Sequence, residues 1–104
     1  MKNSSTLPLI LRISGEIFEW RGPSPFHFVK IEQKQSEKIK RIASAITYGW
    51  GVIPASAKIK KTSWDTALFP KNGFYLVPLK DVVRKAENLE IGDTVTINLS
   101  IGAK

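Results

Sequence analysis

Apolar and polar residues alternate with a period of two along most of this chain. The alternation is cleanest near the C-terminus. In Thr94–Ile101, Val95, Ile97, Leu99 and Ile101 fall on one side, and Thr94, Thr96, Asn98 and Ser100 on the other. That is the pattern of a half-buried strand. At the other end, Leu9, Leu11 and Ile13 alternate with Ile10, Arg12 and Ser14. Gly15 then predicts a bulge, after which the alternation resumes loosely through Ile17, Phe18 and Trp20. Arg21–Pro25 reads as a turn, because its glycine and two prolines cannot extend a ladder. Phe26–Ile31 follows as a strand, with Phe26 and Phe28 on one face and His27, Val29 and Ile31 on the other.

The period then changes to that of a helix. Ile39, Ile42, Ala43 and Ile46 fall at i, i+3, i+4 and i+7, one apolar stripe. Ser36 is the predicted cap of this helix, which runs to about Tyr48 and stops at Gly49. Alternation returns in Val52–Lys60, where Pro54 removes a donor and predicts an edge or a bulge. Thr62–Phe69 is strand-like, with Trp64, Thr66 and Leu68 on one face. Pro70-Lys71-Asn72-Gly73 reads as a hairpin turn, since Asn-Gly tolerates positive φ. Phe74–Val77 returns, and Pro78 is expected to end the ladder. Leu79, Val82, Val83, Ala86 and Leu89 mark a short second helix with an Asp81–Lys85 pair, and Gly92-Asp93 turns into the last strand. About six or seven strands joined mostly by tight turns, with two helices, predict a mainly β fold: one small antiparallel barrel whose ends the helices close.

Composition narrows the function classes. A chain of 104 residues without cysteine is one domain with no disulfide framework and no thiolate metal site. The apolar run Leu7–Leu11 is too short for a signal peptide, so residues 1–6 read as a disordered lead. No stretch is long enough to span a bilayer, and the expected location is the cytoplasm. The net charge is +7, and most of the excess lies between Lys30 and Lys61. Lys38, Lys40 and Arg41 on the first helix, with Lys58, Lys60 and Lys61 beside Trp64, make a nucleic-acid candidate. The alternative is a solvated face that keeps the protein soluble.

The last part of the chain carries a recognisable series: Trp50-Gly51; Trp64, Thr66, Leu68 and Pro70; Gly73, Tyr75 and Pro78-Leu79-Lys80; Val83-Arg84-Lys85-Ala86; and Gly92-Asp93 with Val95. In these residues the chain resembles a mostly bacterial family, the domain of unknown function nineteen-oh-five. The resemblance is close from Trp50 onward and weaker before it. It implies a double-split β-barrel, a fold related to barrels of some bacterial transition-state regulators and antitoxins that bind DNA as intertwined dimers. The family has no established activity, so it supplies no catalytic residue.

Two readings of function follow. In the first, a non-enzymatic binding module uses a groove of the barrel lined by Trp50, Trp64, Tyr75 and Arg84 to take a small molecule or a protein. Against it stands ordinary core packing of these aromatics, with Arg84 paired to a carboxylate such as Asp93. In the second, a nucleic-acid-binding or regulatory protein uses the basic face named above. An enzyme would need a cleft joining His27 or Arg84 to a buried carboxylate, and no motif for a metal or cofactor is present. The chain is expected as a monomer or a homodimer, a dimer being compatible with an edge strand near Pro54.

Overall fold

The computed structural model describes residues 8–20, 26–46 and 52–102, without the side chains of residues 44–46. The expected disordered lead, the Arg21–Pro25 turn, the Gly49 stop and the proposed groove residue Trp50 lie outside the described residues. The elements run β1 (Leu9–Trp20), β2 (Phe26–Ile31), α1 (Gln33–Ile46), β3 (Ile53–Ile59), β4 (Thr62–Lys71), β5 (Phe74–Leu79), α2 (Asp81–Ala86) and β6 (Thr94–Ile101). The strands close into an antiparallel barrel in the order β1-β2-β5-β4-β3-β6. Every strand has a neighbour on both sides for part of its length, and among the described residues open edges remain where the strands part, as at Ile53–Pro54 and Phe69–Lys71.

Two long strands divide their pairing and so hold the barrel together. β1 pairs with β6 over Leu9–Glu16 and with β2 over Ile17–Trp20. β4 pairs with β3 over Thr62–Leu68 and with β5 over Phe69–Lys71. The barrel is therefore two half-sheets sharing β1 and β4, the double-split arrangement.

The prolines mark the splits. Pro54 faces Ala67 of β4, while pairing with β6 begins only at Ala55. Pro70 faces Tyr75 of β5, beyond the last β3 partner of β4. Pro78 faces Phe28 of β2, beyond Leu76, where β4 stops pairing. Each has a strand neighbour on one side, so its missing N–H costs no ladder bond. This corrects two expectations. β5 continues through Pro78 to Leu79, and β4 runs to Lys71, leaving only Asn72 and Gly73, both at positive φ, as the turn.

Gly15 is not a bulge. Its register is continuous, opposite Val95. A Cβ there would lie 2.8 Å from Val29 Cγ1 and 3.1 Å from the Lys30 carbonyl oxygen, so glycine is required by the close approach of β1 to β2. Gly15→Ala is expected to destabilise by about 1–3 kcal/mol, the usual cost of overpacking. Urea unfolding measures this, and a loss below about 0.5 kcal/mol would mean that the two strands separate freely.

Inside the barrel, Leu11, Ile13, Ile17, Val29, Ile31 and the inward residues of β3–β6 form one buried cluster. α1 touches β1, β3 and β5, which are not neighbours in the ring, so it lies across one open end. Ile39 is its fully buried plug, with Ile42 and Ala43 packed at the side. The helix starts at Gln33, so Ser36 is not the cap. Its hydroxyl is buried, donates to the Ile31 carbonyl (2.9 Å) and accepts the Tyr75 backbone N–H (3.1 Å). α2 follows the other end of β5 and buries Val83.

Candidate binding surface

The two faces of β2 are both apolar, and the strand pairing decides which goes inside. Val29 and Ile31 lie in the barrel core, opposite Val77 and Tyr75 of β5. Phe28 therefore points outward, between Phe18 of β1 and Pro78 of β5. The same parity sends Trp20, Phe26, Lys30, Phe69, Lys71, Phe74 and Leu76 outward. These residues come from four strands and converge on the outer face of one half-sheet.

Phe28 is the centre of that face. The rings of Phe18, Trp20, Phe26 and Phe69 surround it with centroid separations of 6.1, 6.1, 6.2 and 6.3 Å, all tilted or edge-on. Such separations suit aromatic pairs. Phe28 and Leu76 are each only 4% exposed although neither belongs to the barrel core cluster. The rings above them are open: Trp20 is 47%, Phe26 56% and Phe69 43% exposed. The result is a small second apolar layer, finished underneath and unfinished on top.

Two ammonium groups border it. Lys71 Nζ lies 4.5 Å from the Trp20 ring centroid, and Lys30 Nζ lies 3.9 Å from that of Phe74. Both are cation–π contacts. A shallow cavity of about 200 Å³ opens between Lys30, Lys71, Asn72, Phe74 and Leu76. None of the outward positions among Ile17–Trp20, Phe26–Ile31, Phe69–Lys71 and Phe74–Leu79 is an Asp or Glu, and Glu16, exposed at the same parity of β1, lies at their margin.

The residues singled out in the sequence are placed elsewhere. Trp64 and Tyr75 point into the barrel and are buried in its core cluster, so the packing alternative describes them and they line no open groove. Burial raises the Tyr75 pKa above its ordinary value of 10.0. The folded state then keeps a proton that the unfolded state releases, so this contribution to stability is complete below pH ~10 and is lost as pH rises further. Tyr75→Phe should flatten the alkaline decline in melting temperature. An equally steep decline would mean that the lysines cause it.

Arg84 forms its ion pair with Asp81 of its own helix, rather than with Asp93, and Asp81 takes that partner in place of Lys85. Asp93 instead accepts the Glu90 backbone N–H at 2.8 Å. Its loop is stitched to β1 by Gly92 N–H to the Ile17 carbonyl (2.8 Å) and Ile17 N–H to the Asp93 carbonyl (2.9 Å). Asp93→Ala should cost about 1 kcal/mol in thermal unfolding. No loss would show that the backbone bonds hold this turn unaided.

The basic residues are not brought together. Lys38, Lys40 and Arg41 sit on α1, which the Ser36–Tyr75 bond ties to the start of β5. Lys58, Lys60 and Lys61 belong to the β3–β4 hairpin, which Thr62 joins to Glu87, just past α2, by a 2.6 Å bond. α2 follows the other end of β5, so the two groups occupy opposite ends of the barrel. A cavity of about 410 Å³ beside Lys60, Glu87, Asp93 and Thr96 is mixed in charge. Among the described residues, no carboxylate is buried and no three His, Cys, Asp or Glu side chains gather as a metal site. His27 is half-buried, opposite Glu19 and Leu79. No helix among the described residues is long and apolar enough to cross a membrane.

The fold and this surface define a small β-barrel domain with an exposed aromatic face. The chain belongs to the family described as Domain of unknown function (DUF1905), whose family model matches residues 14–99. The match includes β2 to β5 and the aromatic face, and leaves out Leu9–Ile13 of β1 and Ser100–Ile101 of β6. No curated protein matches the chain.

Proposed function

We propose that the protein is a non-enzymatic binding module whose site is the outer aromatic face of the β1-β2-β5-β4 half-sheet. The observation that carries this reading is the exposure of Trp20, Phe26 and Phe69 around a buried Phe28. Large aromatics are placed in water at a cost in solubility, and a contiguous cluster of them marks an interaction surface. The lysine border selects partners with an anionic group beside an apolar or aromatic one. The separated basic residues at the two barrel ends give the alternative nucleic-acid reading of those lysines no common face.

Anilinonaphthalene sulfonate, an aromatic anion, is a direct probe. Backbone amide mapping during its titration should show shifts at residues 17–20, 26–30, 69, 71 and 74–77. Shifts confined to the cavity beside Lys60 and Asp93, or none at all, would refute the assignment.

A further inference from the structure

We infer that the partner of this aromatic face is single-stranded nucleic acid, an inference that rests on the binding-module reading above. Three properties of the face point to it together. First, its exposed rings all pack on Phe28, so Trp20, Phe26 and Phe69 lie within two ring spacings of one another. A sheet surface with aromatics at this density takes two or three stacked bases. Second, Lys71 holds its ammonium group over Trp20 and Lys30 holds one over the neighbouring Phe74 of the same face, where phosphates between stacked bases would lie. Third, the outward positions paired around Phe28 carry no carboxylate, Glu16 of β1 lying at their margin, and the whole chain has a charge of +7. Stacking needs ring faces, which a duplex keeps inside its helix, so the single strand is the form recognised.

The charge also separates this occupant from a second copy of the chain. Self-association through the face would bring two sets of Lys30 and Lys71, four ammonium groups, into one apolar interface with only the marginal Glu16 as an acidic neighbour on either side. A polyanion instead neutralises them. Base stacking on an aromatic side chain contributes about 1–3 kcal/mol per base, and each neutralised phosphate releases counterions.

The test is fluorescence anisotropy with a labelled mixed-sequence single strand and the corresponding duplex, at low and physiological salt. The single strand should bind at least about tenfold more tightly than the duplex, with a salt slope of about −1.4 for two phosphates. Phe26→Ser with Phe69→Ser should weaken single-strand binding about tenfold or more, the loss of roughly one stacked base. Lys58→Gln with Lys60→Gln and Lys61→Gln should change it by less than about threefold, as expected for distant charges. Preference for duplex, absence of binding at low salt, or a loss caused by the lysine variant alone would each overturn the inference. Should light scattering show a dimer that Phe26→Ser dissociates, the occupant is a second copy and the inference fails. If the sulfonate probe still maps to the face while oligonucleotides do not bind, only the nucleic-acid identity falls. If the probe also misses the face, the binding-module reading falls with it.

Discussion

Ile39→Ala should destabilise the protein by about 2–5 kcal/mol. Ile39 is fully buried and is the centre of the contact between α1 and the open end of the barrel. The outer side of this helix carries Lys34, Lys38, Lys40 and Arg41, all exposed, and α1 is 14 residues long. An isolated helix of that length is marginal in water, so α1 owes its structure to packing. Truncating the plug leaves a cavity inside the barrel mouth and weakens the attachment of the helix together. Urea unfolding should show the midpoint falling, and hydrogen exchange should show α1 losing protection before the strands. A loss below about 1 kcal/mol would mean that the barrel closes without its helix.

Ser36→Ala has the second-largest expected effect, a loss of about 2–3 kcal/mol. The Ser36 hydroxyl is the buried link between three elements. It belongs to α1, donates to the end of β2 and accepts from the start of β5. Alanine fills the space but leaves the Tyr75 N–H with no acceptor in a water-excluded site. Ser36→Thr keeps the hydroxyl and adds a methyl group, so it separates bonding from packing. The alanine variant should lose more stability than the threonine variant if the hydrogen bonds dominate. The opposite order would assign the site to packing.

Ser36 also shows how far the sequence could be read. It lies three residues before Ile39 and seven before Ala43, on the same stripe that identifies the helix. That spacing placed it on the buried face. The preference of serine for helix caps pointed the other way, and tertiary packing decided. The strands were legible because period-two alternation is a local property. The order of the ring, and the way β1 and β4 divide their pairing, depend on contacts between distant segments. The prolines carried a clear signal about the splits, since each lacks a donor. Whether Pro78 ended its strand or sat beside a gap in the sheet required knowing where β4 stops.

The aromatic face was hidden for a related reason. Phe26 and Phe28 were assigned to one side of β2 from alternation, but Val29 and Ile31 made the other side equally apolar. A single strand with two apolar faces does not say which one is core. Phe69 joins the cluster, and Phe74 the same face, from a hairpin roughly forty residues away, through registers that local pattern does not encode. Trp64 and Tyr75 are the aromatics that stand in the recognisable C-terminal motifs. The motifs mark residues the fold needs, and both side chains are core.

The central claim is that Phe26 and Phe69 serve binding rather than folding, and one double variant tests it. Phe26→Ser with Phe69→Ser is measured for melting temperature and for affinity toward anilinonaphthalene sulfonate on the same sample. Both side chains are about half exposed and lie outside the barrel core cluster, so the melting temperature should stay within about 5 °C of the parent, a change of roughly 1 kcal/mol. Probe affinity should fall about tenfold or more, the equivalent of 1.4 kcal/mol. A melting temperature that collapses while probe affinity is retained would contradict the claim and make the aromatic layer part of the fold.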